Sequence, residues 1–489
     1  MKSIKGYLTV YASLIFMVLV GLWAALCEGV RIKTFCLKCE ADVKIATDSV
    51  MAEYNRKLFE DFDILALDSS YMTEYASSDN VASRLEYYMS KRSLLWGEYL
   101  KPVKGVDFGG ITQRSAEITK ICSLCDDEGG VFIKCAVDSI KDKLDAGLCE
   151  NIFKDYETLT LGNVDYEDGE DNIDAVDAEI ESLYEKEDFA EYRGDSIEGN
   201  PIRSLKGLKV SGITSLLVDN RDVSKLVTNK DNLVSERIRR NEVTRGNMNL
   251  TLGKDNRISI TDRIIFSQYL LEHMKCFTSP VDEEKKSLRY ELEYIIGGMA
   301  SDKDNLTKTV RRLLLLRIGL NGAAIKSDPV MQAKVDEAVL ANPVCDLFPE
   351  VFPIFKEATE LAWCYAESLY DVKALLKGKK IELKKTSSQW HYSLSGVLKG
   401  MVRVDDVNES EGNTGLKYNE YLRLLLLLKK SSDLCYRSMD MVEARIRTYP
   451  GNTHFKLDGC FAAIGVNVSF HSRYGYGYSV TRKDKYLRD

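Results

Sequence analysis

Apolar residues change their spacing several times along the chain, and the first change is the sharpest. Tyr7 to Cys27 (YLTVYASLIFMVLVGLWAALC) is 21 residues without a charge. At ~1.5 Å rise per residue a helix of that length spans about 30 Å, the thickness of a bilayer's hydrocarbon. Leu424 to Leu428 is also apolar, but it is short and flanked by Arg423 and Lys429. The pattern predicts a membrane-spanning helix over residues 7–28 after a short tail, residues 1–6. Lys2 and Lys5 would also suit the positive start of a cleaved secretory signal. The length of the run and the lack of a clean A-x-A site favour a retained anchor. Leu26 before Cys27 does not suit a lipoprotein cleavage box.

Beyond the span the rhythm turns amphipathic. Val30, Phe35, Leu37, Ala41, Ile45, Val50, Ala52 and Leu58 recur at mixed three- and four-residue spacings, which predicts a stalk helix over 29–60. An α+β subdomain is expected over 61–160. It would hold a buried strand at Phe62–Asp68, an amphipathic helix at Val81–Trp96, and helices at Gly110–Cys125 and about 130–145. Residues 161–255 read as an acidic, loop-rich insertion with a short apolar island at Ile213–Val218. Helical stripes then dominate over 256–489: Ser259–Cys276, Asp282–Ile296, Asp302–Asn321, Asp328–Asn342, Pro349–Lys377 and one long helix at Lys417–Arg447. Ser301 is placed to cap the third of these. Trp390–Val404 suggests a strand pair. Phe455–Phe470 and Tyr474–Thr481 alternate and predict a terminal antiparallel hairpin, with Ile464, Val466, Val468 and Phe470 on one face. The expected fold class is α+β: a transmembrane helix running into a stalk, then a mostly helical domain with a small antiparallel sheet.

Composition narrows the function. The 489 residues carry a net charge of −8, which argues against a nucleic-acid partner, since that needs a concentrated basic surface. Fifteen Asp or Glu within residues 165–198 face only Lys186 and Arg193, the pattern of a solvated segment. Asp165–Gly169 vaguely suggests a calcium loop, but an EF-hand would need its first ligand at Val164.

Neither the histidines nor the cysteines form a recognisable motif. His273, His391, His454 and His471 are scattered, so no cofactor or metal is expected. Cys36/Cys39 and Cys122/Cys125 are C-x-x-C pairs. The 82 residues between them are too many for a zinc ribbon, and packing is the simpler role. Most of the twelve cysteines are expected as buried thiols, with one or two bridges. There is no G-x-S-x-G and no P-loop, so an enzyme is not the expected class.

Three stretches carry a resemblance. They are KGYLTVYASL through CEGVRI to DSVMAEYNRKLFEDFDILALD (ending at Asp68), ELEYIIGGMASDKDNLTKTVRRLLLLRIGLN (Glu291–Asn321) and YNEYLRLLLLLKKSSDLCYRSMDMVEARIR (Tyr418–Arg447). The first is similar to the start of TadE/TadG-like proteins, minor pilin-like components of tight-adherence (Tad/Flp) pilus systems. All three resemble an uncharacterised Gram-positive bacterial family associated with Tad-type assembly genes. The resemblance implies a non-enzymatic, membrane-anchored envelope component associated with pilus assembly. Its partners would be the lipid bilayer and, through the N-terminal helix, pilin or pilus-assembly proteins. Pilin-like proteins usually carry Glu five residues after their processing site. Were processing to follow Gly6, Tyr11 would hold that position here.

The membrane and assembly candidates are therefore Gly6, Tyr11, Gly21, Glu28 and Arg31. Gly21, with Ala24 and Ala25, would admit close helix contact. Glu28 would reach headgroup water or pair with Arg31 or a partner helix. The large C-terminal domain is expected outside the cell, the usual layout for a short N-terminus and long trailing domain. The Lys and Arg count on the two flanks does not favour that orientation. A cell-surface hydrolase or a membrane-tethered solute or peptide binder is the alternative.

Overall fold

The structure is a computed structural model. It describes residues 3–99, 110–161, 178–179, 182, 201, 223–243, 246–247, 258–280, 287–402 and 414–486. The acidic block 165–198, apart from residues 178, 179 and 182, and the Ile213–Val218 island lie outside the described residues. The fold is α+β, with a long N-terminal apolar helix, a four-stranded antiparallel sheet and a helical body.

Two compact units divide the chain: Met1–Asp138 with Asn241–Arg257 and Tyr449–Asp489, and Ser139–Arg240 with Ile258–Thr448. One division, between Arg257 and Ile258, falls beside the boundary read at residue 256. The terminal hairpin, assigned from sequence to the helical domain, completes the sheet of the N-terminal unit instead.

In the first unit, helix α1 (Ser3–Met51) is continuous. Helix α2 (Arg56–Phe62), strand β1 (Leu67–Asp68), helix α3 (Ser78–Tyr99) and strand β2 (Ile111–Ser123) follow. After helix α4 (Gly130–Ile140) the chain leaves, and it returns as β3 (Cys460–Ser472) and β4 (Gly477–Lys485). β3 is the central strand, antiparallel to β1, β2 and β4. Alternation gives it one apolar face: Ile464, Val466, Val468 and Phe470 are all buried, as the period of two requires.

Phe35, Cys39, Val43, Ala46 and Val50 of α1, and Val81, Leu85 and Met89 of α3, close over that face. Their spacings of three and four put each set on one side of its helix. A fully buried Phe or Val contributes about 1.5–3 kcal/mol, so the second half of α1 is a principal wall of this core. The stalk helix expected over 29–60 does continue from the apolar run, but it ends at Met51, and from Phe35 onward it is core. Arg84 of α3 fixes its end, donating Nε to both Glu53 carboxylate oxygens at 2.9 Å.

β2 corrects a second expectation, a helix at Gly110–Cys125. Two register irregularities, at 111/113 and 118/120, insert an extra residue in β2 against β3, and a third, at 122/123, puts the extra residue in β3. The first two stretch the strand's period of two toward three, so its apolar positions mimic a helix. Its outer edge is covered at one point by Asn247, whose Oδ1 accepts from Ile121 N at 2.9 Å and whose Nδ2 donates to Thr119 O at 3.0 Å. The strand expected over Phe62–Asp68 shortens to β1, although Ile64, Ala66 and Leu67 are buried.

The second unit is helical: α5 (Ala146–Leu161), α6 (Val234–Arg239), α7 (Ile260–His273), α8 (Glu291–Gly297), α9 (Asp302–Ser327), α10 (Pro329–Leu340), α11 (Pro343–Leu347), α12 (Phe352–Leu376), α13 (Leu394–Leu398), α14 (Tyr418–Leu428) and α15 (Ser431–Ile446). Ser301 caps α9, its side chain accepting from Asp304 N. Of the strand pair expected at Trp390–Val404, residues 403 and 404 lie outside the described residues; within the rest the chain forms α13, because Leu394 and Val397, three apart, are the buried pair and Ser393 caps the turn. The single helix expected at Lys417–Arg447 breaks at Lys429 and Lys430, both extended.

Candidate functional site

The N-terminal half of α1 is the first candidate. Tyr7, Leu14, Phe16, Leu19, Trp23 and Leu26 are all exposed, and the most apolar window, of mean hydropathy 2.3, buries nothing. Among the described residues one helix is long and apolar enough to cross a membrane, and it is this one. Gly6 lies within it. Tyr11 is exposed, and around Gly21 a Cβ would meet nothing within 4 Å. The face that could admit a neighbouring helix is therefore open.

Glu28 and Arg31 sit one turn apart, at 2.9 Å, where the apolar run ends. The Arg31 guanidinium also lies over the Tyr474 ring, 4.7 Å from its centre. Tyr474 belongs to the β3–β4 turn, which Gly475 makes possible at φ +86. The hairpin tip thus meets α1 four residues beyond Cys27. The five sequence candidates are not one site: Gly6, Tyr11 and Gly21 line the exposed helix, and Glu28 and Arg31 mark its exit.

None of the twelve cysteines is in a disulfide, which corrects the expectation of one or two bridges. Burial, with Asp42 beside it, pushes the Cys39 thiol up to about 12, and burial with Asp126 does the same for Cys122. These thiols hold their protons and pack, as buried thiols do. Among the described residues no group of three or more His, Cys, Asp or Glu side chains is placed to hold a metal.

Among the described residues of the helical unit, four clusters of ionisable groups gather around buried side chains and helix ends. In the first, Arg317 is fully buried and donates to Asp371 Oδ2 from Nε (2.9 Å) and Nη2 (2.7 Å), and to Tyr421 and Asn321 at 2.9 Å. Lys385 reaches Asp371 Oδ1 at 2.6 Å and Glu367. Glu367 in turn accepts from His391 N and Tyr392 N at 3.0 Å. Burial raises the Asp371 carboxyl, but the two cations outweigh it and hold it low. Two positive and two negative charges balance, and such a satisfied network fixes how α9 and α12 pack.

The second cluster joins α6 to α15. Asp440 accepts from Ser235 N (2.9 Å), Ser235 Oγ (2.6 Å) and Tyr294 (2.9 Å), while burial pushes it up to about 6. Beside it Arg237 grips Glu443 with both terminal nitrogens, at 2.8 and 2.7 Å.

The third cluster surrounds the start of α8. Glu291 pairs with Arg445 and accepts from Lys275 N at 2.9 Å. Glu293 Oε1 accepts from Phe277 N and Tyr418 at 2.8 Å each, and Oε2 meets no donor. Burial pushes Glu293 up to about 7 against those two bonds. A cavity of about 20 Å³ lies beside Lys275, Tyr290, Glu291 and Arg445, space for a single water.

The fourth cluster gathers cations at one helix end. At the last turn of α8, Lys230 donates to Gly298 O at 2.8 Å and Lys308 to Gly297 O at 3.1 Å. Arg312 (2.8 Å), Lys429 (3.0 Å) and Arg437 (3.1 Å) all donate to Ile296 O. Gly298 adopts φ +70, and a Cβ there would strike the Arg437 guanidinium at 2.4 Å, so the glycine admits the arginine. Burial, then the neighbouring Arg437 and Arg312, pull Lys429 down to about 7. Burial and the charges of Arg312, Arg437 and Lys230 also lower Lys308. Sequence reading missed this group, because its members come from four separated segments. The only local signs are Lys429-Lys430 ending a leucine run and Arg311-Arg312 inside a helix.

No curated protein and no solved structure matches the chain. Residues 191–472 match the model of a family of unknown function, DUF5702. That match covers more than half of the sequence and takes in the helical unit from α6 onward together with β3, and on this ground the chain belongs to that family.

Proposed function

We propose that the chain is a membrane-anchored, non-enzymatic component of a bacterial cell envelope, associated with assembly of a Tad/Flp-type pilus. The observation that carries this reading is the division of α1. One helix is apolar and open on every side over Tyr7–Cys27, then becomes the wall of a sheet core from Phe35. The first half needs an apolar surrounding, either lipid or the helices of neighbouring subunits. The second half ties that surrounding to a folded domain. The similarity of the N-terminal stretch to TadE/TadG-like proteins supports the same reading. In it, Gly21 faces a partner helix, and the bulk of the chain faces the outside of the cell.

Deleting Tyr7–Cys27 tests the role, because every core contact of α1 is kept. The shortened protein is expected in the soluble fraction, folded, and no longer recovered with pilus-assembly proteins. Co-recovery without the segment would overturn the assembly role. Protease shaving of intact cells tests orientation: the large domain should be cleaved away and a membrane-bound N-terminal remnant kept.

A further inference from the structure

α1 and β4 lie side by side, and a ladder of five contacts gives their relative direction. Arg31 lies over the Tyr474 ring, 4.7 Å from its centre, and the Phe35 and Tyr476 ring centres are 6.3 Å apart. The Tyr478 hydroxyl donates to Glu40 at 2.7 Å, Arg482 donates to Asp48 at 2.8 Å, and the Tyr486 hydroxyl donates to Met51 O. The residue numbers rise together, so β4 runs in the same direction as α1. The β3–β4 turn is therefore the end of the hairpin nearest Tyr7–Cys27, and Lys485 is the end farthest from it.

The helix also sets the level of that turn. Arg31 lies four residues beyond Cys27, about 6 Å along the axis at ~1.5 Å per residue. A headgroup layer is roughly 5–8 Å deep on each side of the hydrocarbon. Helical side chains slant toward the N-terminus, which brings the Arg31 guanidinium, and the ring beneath it, nearer the span. Val30 and Ile32 on the same stretch are exposed apolar residues, which suits a surrounding less polar than water.

The side chains of the turn are of the kind that headgroup layers hold. Tyr474 is 39% exposed, and Arg473 beside it is exposed. Arg473 lies 5.0 Å from the centre of the Tyr474 ring and donates to its hydroxyl at 2.9 Å. Tyrosine offers a bilayer an apolar body with a polar tip, and a guanidinium suits lipid phosphate. Core packing employs Tyr476, half-buried against Phe35, but leaves Arg473 and much of Tyr474 outside.

We propose that the β3–β4 turn is a second membrane contact: Arg473 and Tyr474 enter the lipid headgroup layer beside the exit of α1 and hold the sheet against the bilayer surface. This rests on the reading of Tyr7–Cys27 as a membrane span. The partner is the phosphate-bearing headgroup layer, because the turn adjoins the span itself.

Photocrosslinking tests it. Full-length protein carrying Tyr474→p-benzoylphenylalanine is reconstituted into vesicles of phosphatidylcholine and phosphatidylglycerol, irradiated, and its adducts identified by mass spectrometry. The same replacement at Phe16, exposed within the span, and at Tyr75 gives the references. Tyr75 is exposed on the loop between β1 and α3, whose Ser69 bonds to Gly459 just before β3 begins, at the other end of the sheet. Lipid adducts at positions 474 and 16, and none at 75, are the expected result. Adding Arg473→Glu should lower the yield at 474 severalfold and leave that at 16 unchanged. Lys483→Glu, an exposed charge farther along β4, should change neither. Lipid at 16 without lipid at 474 overturns the contact and leaves the span standing, whereas lipid at neither overturns both. A protein adduct in place of lipid at 474 overturns the choice of partner, and a yield unmoved by Arg473→Glu overturns the part given to the arginine.

Discussion

Replacing Glu293 by glutamine should make the helical unit more stable at alkaline pH than the natural protein. Glu293 is fully buried; Oε1 has two donors and Oε2 has none. Its carboxyl is raised from 4.5 to about 7 by burial. A carboxyl raised on folding keeps a proton that the unfolded chain has released. Its contribution is therefore most favourable below about 4.5, falls as pH rises, and levels off above about 7. Each tenfold change in proton affinity is worth about 1.36 kcal/mol, so raising the pH from 5 to 8 costs the folded state about 2.5 kcal/mol through this one group. Glutamine keeps the acceptor for Phe277 and Tyr418 and has no proton to lose. The stability difference, variant minus natural, should then grow by about 2.5 kcal/mol between pH 5 and 8. Asp440, also raised by burial, acts with the same sign in both proteins and cancels. Urea unfolding in detergent reads this through Trp363 and Trp390, whose rings are 4.8 Å apart, in a Trp23→Phe, Trp96→Phe background. Parallel pH profiles for the two proteins would refute the argument.

Asp371→Leu should cost about 3–5 kcal/mol in the same urea experiment, because it leaves buried Arg317 without its carboxylate, and adding Arg317→Met should recover part of the loss. Phe35→Ala should cost the sheet unit about 3–5 kcal/mol and speed hydrogen exchange along β3 and β4, since Phe35 is buried against that sheet. A maleimide at pH 7.5 should modify exposed Cys27 well before Cys39, Cys122 or Cys135, whose thiols burial pushes up to about 12; mass spectrometry of peptides gives the order.

What the sequence revealed depended on how far each signal reaches. The charge-free run at Tyr7–Cys27, the helix stripes beyond Ser259 and the period of two at Ile464–Phe470 are local, and each gave its element. β2 was misread because its bulges shift Ala116, Ile118 and Ile121 off a clean alternation. The stalk was misread for a different reason. The spacing of Phe35, Cys39, Val43 and Val50 shows a buried helix face but not what buries it, and the partner strand lies more than 400 residues away. The cation cluster was beyond reach on the same ground. Lys230, Lys308 and Arg437 become neighbours only through the placement of one seven-residue helix, and nothing beside each of them in sequence marks it.

The unbroken course of α1 has one more consequence. Its two halves answer to different solvents yet form one rigid rod, so an angle imposed on one is passed to the other. A span that leans to match a thinner bilayer, as spans commonly do by about 20°, would swing the attached sheet through the same arc. Lipid thickness would then help decide which way the sheet's open face looks, with no hinge or loop involved.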